Sequence, residues 1–380
     1  METKKYRFDE VTINFDKKRI PLSSAQREKK QGTFRYYGAQ GVIDHVDDYI
    51  FDGTYLLIAE DGENLKSKKQ NIAQVVDGQF WVNNHAHIVQ GNEQCDTRFL
   101  CYLINSMDLS GYVTGSAQPK LSQANLNAVT LSLPSVAEQK KIVEYLYMLD
   151  QKIDVNRQIN DNLEQQAQSY FQELFVDNAD PEWTTGTISD LGAVVGGSTP
   201  SKAKPEYYTE SGIAWITPKD LSINKSKFVS HGENDITELG LKNSSAVIMP
   251  EGTVLFSSRA PIGYIAIATG EVTTNQGFKS VVPKLEIGTP FVYFFLKNTL
   301  PVIEGMASGS TFKEVSGSTM KKVPAVIPDA ETLAKFSNFC APIFAQQCIL
   351  EEQNQSLAIL RDNLLQKLMS GEIDVSAVQL

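Results

Sequence analysis

From Ser135 to Phe175 apolar side chains return in steps of four and three, through Ile142, Leu146, Leu149, Ile153, Leu163, Ala167, Tyr170 and Leu174. That period predicts one long helix with a single coiled-coil seam. Pro134 and the capping box Ser135-x-x-Glu138 mark where it starts. Asn156 and Asn160 interrupt the stripe with polar side chains.

Moving each position by 194 residues produces a second stripe: Phe336, Cys340, Ile343, Gln347, Leu350, Asn354, Leu357, Arg361, Leu364 and Leu368. Polar residues within a seam reduce stability but specify register. The coincidence of Asn160 with Asn354 therefore predicts two helices that pack together in one alignment, the alternative being an asparagine that faces solvent. Helices of about 40 residues, each about 60 Å long at 1.5 Å per residue, would hold two globular regions apart.

The same offset governs the chain upstream of each stripe. Gly115-Ser116 recurs as Gly309-Ser310, Lys120-Leu121-Ser122 as Glu314-Val315-Ser316, and Leu133-Pro134 as Ile327-Pro328. Earlier still the offset drifts to 192, where Phe99 to Ile104 answers Phe291 to Leu296 and Val82-Asn83 answers Thr274-Asn275. An internal duplication on this scale organises the whole chain.

Both globular regions read as mixed α/β, with short strands at Thr54–Ala59, Gln79–Val82, Thr253–Ser257 and Tyr264–Ala268. Asp61-Gly62, Asp77-Gly78 and Glu251-Gly252 read as turns between them. A helix near Thr97–Asn105 has its counterpart near Pro290–Asn298, and the run Tyr293 to Phe295 reads as core. The predicted division is 1–134 and 178–328 for the two globular regions, 135–177 and 329–380 for the helices and the tail.

The net charge of −10 on 380 residues argues against a DNA binder, because phosphate repels an acidic surface. Its distribution answers much of that. Residues 1–134 and 178–328 are each near neutral at −1, and the two helical stretches carry −4 each. No window is apolar enough for a membrane span and the first ten residues are too charged for a signal peptide, so a cytoplasmic location is expected. Cys95, Cys101, Cys340 and Cys348 have neither zinc-ligand nor disulfide-framework spacing and read as small buried apolar residues.

Certain phrases resemble a known family. They are Tyr37-Gly38-Ala39-Gln40-Gly41, Trp81 to His87 and Gly115 to Ser122 in the first half. In the second half they are Gly197 to Ser201, Trp215 to Leu221, Ser258 to Gly263 and Thr274 to Phe278. In this order, with the duplication and the paired helices, the whole chain resembles the specificity subunit of Type I restriction-modification enzymes. One departure is that the first helix opens with Glu138-Gln139-Lys140, a common family opening, whereas the second has Thr332-Leu333-Ala334.

The resemblance implies an α+β fold: two mixed α/β target recognition domains joined by two long antiparallel coiled-coil helices, with a pseudo-two-fold internal repeat. It implies sequence-specific binding of double-stranded DNA at a bipartite target with a fixed unspecified gap. It further implies partners, namely methyltransferase subunits, expected to be two, and restriction-translocase subunits. No cofactor is expected on this chain; S-adenosylmethionine, ATP and Mg are expected in the partners. The lack of an Asn-Pro-Pro-Tyr/Phe tetrad and of a GxxxxGK[ST] phosphate loop agrees with a non-catalytic role.

Base edges and phosphates are contacted by polar side chains on glycine-rich or basic loops. The first-half candidates are Lys66, Lys68, Lys69, Asn83, His85, Gln118 and Lys120. In the second half they are Thr199, Ser201, Lys202, Arg259, Asn275, Gln276, Ser310 and Lys313, with Arg259 suited to bidentate contact with guanine or phosphate. Plain turns, solvated charge runs and structural hydrogen-bond networks are the competing readings. Two rival functions stay open: a self-contained nuclease using Asp329, Glu331 and Lys335, although Asp329 sits where a helix begins and reads as its cap, and a coiled-coil adaptor that binds only proteins.

Overall fold

The computed structural model describes residues 2–67, 70–115, 118–309 and 313–375. Lys68, Lys69 and Ser310, named above as candidates, lie outside them. The chain forms two compact units, Met1–Ile153 with Ser356–Leu380, and Asp154–Gln355. The long helices contribute to the cores of both units, Ile142, Leu146 and Leu368 to the first and Phe171, Phe336 and Cys340 to the second.

In the first unit a six-stranded sheet runs in the order Thr12–Asn14, Ala86–Gly91, Phe51–Ala59, Ala73–Val82, Gln31–Gly38 and Gly41–Val46. It is antiparallel apart from the parallel pairing of Gln31–Gly38 with Ala73–Val82. Asp77-Gly78, expected to be a turn, lies inside a strand opposite Gly53. Both glycines have positive φ, so the two strands bend together without breaking the ladder. Asp77 is held by Arg98 at 2.9 Å and by the Thr54 hydroxyl at 2.7 Å.

Asp96 caps the helix Thr97–Ser106 by accepting from the Arg98 and Phe99 amides, which sets its apolar face on the sheet. Phe99, Leu100 and Ile104 share a buried cluster with Leu56, Ile58 and Val89. Ile142 and Leu146 of the first long helix and Leu368 of the second complete it.

The second unit carries a five-stranded sheet and a four-stranded sheet. The helix Thr289–Gly305 buries Phe291, Phe294 and Leu296 against Val254, Phe256 and the two long helices, through Phe171, Phe336 and Cys340. Tyr293 to Phe295 are indeed core. Cys95 and Cys340 are buried as expected, but Cys101 and Cys348 are only half-buried, because each lies at the flank of its helix.

The long helices span Val136–Gln172 and Ala330–Ser370, and a π-helical turn, Glu173–Asp177, ends the first. Ser135 and Glu138 form the expected capping box at its start. Within each unit the two run antiparallel. In the first, Arg361 reaches Asp150 at 2.7 Å; in the second, Asn156 Nδ2 donates to Asn354 Oδ1 at 2.9 Å and Tyr170 packs on Phe339.

Of the predicted seam, Leu146, Ile153, Ile343 and Leu350 are buried, and Leu149, Asn160, Leu163, Asn354, Leu357 and Leu364 half-buried. Asn160 and Asn354 do not pair with each other. Antiparallel packing sets a residue opposite the counterpart of a different position, so Asn354 meets Asn156 while Asn160 exchanges hydrogen bonds with Gln347 at 3.1 and 3.3 Å.

Candidate nucleic-acid interface

In the first unit the strand Phe51–Ala59 runs out into Glu60-Asp61-Gly62. Glu60 N–H donates to the His85 carbonyl at 2.9 Å and its own carbonyl accepts from Leu121 N–H at 2.8 Å. Those two bonds draw the Asn83–His85 turn and the Gly115–Lys120 loop to one edge of the sheet. Thr114 and Lys120 bridge across the base of that loop, where Gly115 has a φ of 86° that favours glycine.

The polar side chains follow this backbone. His85 Nδ1 lies 2.7 Å from Asp61 Oδ2, Lys66 Nζ donates to the Gly115 carbonyl at 2.9 Å, and Lys120 Nζ is 3.2 Å from Glu60 Oε1. Gln118 is exposed on the same loop. Lys66, His85, Gln118 and Lys120 are therefore brought together.

Asn83 joins them through its side chain, which is held inside the turn. It is 7% exposed, and its Oδ1 accepts from His85 N–H at 2.8 Å. An amide held inside a turn in this way shapes the loop.

Arg19 belongs to the cluster although the candidate residues omit it. Its guanidinium spans Glu60 at 3.0 Å and the Ala86 carbonyl at 2.7 Å. It stands in the run Lys17-Lys18-Arg19, where only the fold separates the half-buried cation from its exposed neighbours. Burial by itself raises the Glu60 pKa, but Arg19, His87 and Lys120 outweigh it and hold the carboxyl below its ordinary value. Lys120 thus faces a carboxylate at neutral pH, and a phosphate contacting it competes with Glu60.

The second unit repeats this backbone. Ser258 N–H donates to the Gly277 carbonyl at 2.7 Å, and the Ser258 carbonyl accepts from Val315 N–H at 3.0 Å. Asn275 Oδ1 accepts from Gly277 N–H at 2.8 Å, the same turn that Asn83 makes. Ser308 and Glu314 bridge the loop that matches Gly115–Lys120.

Around this frame Thr199 donates to Gln276, and both line a cleft of about 530 Å³ with Lys202, Asn275, Trp215 and Lys219. Trp215 and Lys219 sit in a phrase that carries the family resemblance, yet neither is among the candidate residues. Ser201 and Lys313 are exposed nearby in sequence. Arg259 lies outside the cleft, 3.5 Å from Glu314, which Lys279 also approaches at 3.8 Å.

Among the described residues no group of histidine, cysteine and carboxylate side chains is arranged to hold a metal, and no helix is long and apolar enough to cross a membrane. Asp329 occupies a helix cap, accepting from Thr332 N–H at 2.9 Å and from Trp183 Nε1 at 3.0 Å.

Comparison with known proteins fits this duplicated frame. A sequence profile of the Type I restriction modification DNA specificity domain matches residues 2–165 and again 181–366. The chain is 41% identical to the MjaIX specificity subunit of Methanocaldococcus jannaschii over 169 residues, 44% of this chain and 39% of that one. It is 24% identical to the HindI specificity subunit of Haemophilus influenzae, with 85% and 84% of the two chains covered. In fold it is similar to the Type I S subunit of M. genitalium, with a TM-score of 0.59 and 16% identity over 97% of this chain and 96% of that chain. The chain belongs to the Type I restriction-modification DNA specificity family, as a DNA-recognition subunit and not an enzyme in its own right.

Proposed function

We propose that the two units read the two halves of a bipartite duplex target, one half each, and that the long helices set the unspecified gap between them. The observation that carries this reading is the loop node built twice in one chain: one backbone frame with different side chains on it, as two readers of different sequences require. Of the candidate residues, Lys66, His85, Gln118 and Lys120 are assigned to one half-site. Thr199, Ser201, Lys202, Arg259, Gln276 and Lys313 are assigned to the other, with the Asn83 and Asn275 side chains shaping turns.

The partners follow from the family. Methyltransferase subunits, two in number, would dock on this chain and bring S-adenosylmethionine. A translocase-nuclease subunit would add ATP and Mg, and the assembly would work in the cytoplasm. Asp329, capping a helix, offers nothing to the nuclease alternative.

Binding to duplex DNA should fall steeply with salt, because released counterions supply much of the affinity. An adaptor that binds only proteins would show no such slope. Exchanging residues 1–134 for another recognition region should change one half-site only; a change in both halves would overturn the two-reader proposal.

A further inference from the structure

The two copies of the node carry opposite charge at matching places. Glu60 and Ser258 hold equivalent backbone positions, each donating to the carbonyl of the turn (His85 or Gly277) and accepting from the residue just after the loop (Leu121 or Val315). The next residue is Asp61 in one copy and Arg259 in the other. The residue that closes the loop is Lys120 in the first and Glu314 in the second, each in an isolated bridge with its loop partner. Lys120 pairs with Glu60, whereas Glu314 pairs with Arg259. One frame therefore carries an anion at position 61 and a cation at its counterpart 259, with the reverse at the loop-closing position, Lys120 against Glu314.

A carboxylate at a DNA-facing edge is repelled by phosphate, so its presence there calls for a donor on the DNA. The donors in the major groove are the exocyclic amino groups of cytosine and adenine, and the acceptors of guanine suit an arginine. Asp61 has the geometry for this. Its side chain is 20% exposed, and His85 Nδ1 engages Oδ2, while no described residue makes a hydrogen bond to Oδ1. Gly62, with a φ of 123°, turns the chain directly after it.

We propose that positions 61 and 259 are equivalent specificity-determining positions: Asp61 accepts from an exocyclic amino group in one half-site, and Arg259 donates to guanine in the other. This rests on the DNA-reading function proposed above. It adds a base-reading role for an acidic residue and assigns opposite hydrogen-bonding polarity to the two half-sites at one place in the frame.

The test is selection from a pool of duplexes with randomised positions, using the full chain together with the methyltransferase subunit of its own system. Wild type would be compared with Asp61→Leu, Asp61→Ala, Arg259→Lys and Arg259→Ala. Both Asp61 variants should lose roughly tenfold or more of the preference at one base pair of one half-site and leave the other half unchanged. Arg259→Ala should lose guanine at one position of the other half-site, and Arg259→Lys should restore it only in part, lacking the bidentate fork.

Asp61→Leu keeps the side chain's branched shape without its acceptors and decides the matter if the alanine variant does not fold. An unchanged motif in both Asp61 variants overturns the proposal, as does a loss of affinity that is uniform over all sequences. Failure of the wild type to select any bipartite motif would instead bring down the DNA-reading function itself.

Discussion

Glu164 Oε2 accepts a hydrogen bond from Lys227 Nζ at 2.7 Å, tying a loop of the second unit to the first long helix. The Lys227 side chain is 8% exposed, lies 3.5 Å from the centre of the Phe344 ring and also donates to Gln347 on the second long helix at 2.9 Å. Burial pulls its pKa down to about 8, with Glu164 opposing the shift. Glu351 accepts from the backbone N–H groups of Lys227 and Phe228 at 2.9 and 3.0 Å. One loop thus registers both helices against the recognition domain.

Removing one partner of a buried pair leaves the other charge uncompensated, at a cost of about 3 kcal/mol or more, whereas removing both relieves most of that penalty. Glu164→Gln should therefore destabilise strongly, and Glu164→Gln with Lys227→Met should recover most of the loss. Urea denaturation of the four members of the cycle checks this. Additive single effects would show that the pair is not a coupled unit.

Asp16 of the first unit should dominate acid sensitivity there. Burial by itself raises its pKa, but hydrogen bonds from His87 and the Ile88 amide, with the charges of His87 and Arg19, outweigh it and hold the carboxyl below its ordinary value. The unfolded carboxyl takes up its proton near pH 4, before the folded one does. The stabilisation is thus complete above that pH and is lost as pH falls through the depressed folded value. Melting temperature measured from pH 6 to pH 3 should drop steeply below about pH 4, and Asp16→Asn should flatten that drop while costing about 2 kcal/mol at neutral pH. A variant with the wild-type acid profile would contradict the assignment.

Features set by local chemistry were legible in the residues alone. The two long helices follow from a period of seven, and the duplication from a constant offset. The capping box at Ser135 and the cap at Asp329 depend on neighbours three residues away. Features set by long-range closure were not. Nothing near Lys120 in sequence announces Glu60, and Arg19 is set apart from Lys17 and Lys18 only by where the chain leaves the helical turn Asp16–Lys18. Asp77-Gly78 has turn composition, but Gly53 opposite it lets a bend stay within the ladder. The Asn160–Asn354 match was a true repeat relation that antiparallel packing turns into a different pair.

The buried asparagine contact should behave as a register device with a measurable penalty. Asn156 Nδ2 donates to Asn354, and Asn156 Oδ1 is buried with no partner among the described residues. Asn354→Leu leaves the Asn156 amide only a long 3.4 Å bond to Gln353 Oε1 and should cost about 1–2 kcal/mol, whereas Asn156→Leu with Asn354→Leu should be neutral or stabilising. Urea midpoints of the second unit's unfolding transition would show the reversal. A double variant less stable than the single would mean that the amide pair contributes net stability.

The proposed ruler role of the helices makes a quantitative demand. Each long helix contributes residues to both units, with the divisions at Ile153/Asp154 and Gln355/Ser356. A heptad inserted in one helix alone slides its seam past the antiparallel partner and should destabilise the pair. Heptads inserted at both places keep the apolar faces in phase and lengthen each helix by about 10 Å. At about 3.4 Å per base pair, the unspecified gap in the selected target should widen by roughly three base pairs while both half-sites stay the same. A doubly lengthened protein that still folds and binds DNA but selects the original gap would remove the ruler role from the helices.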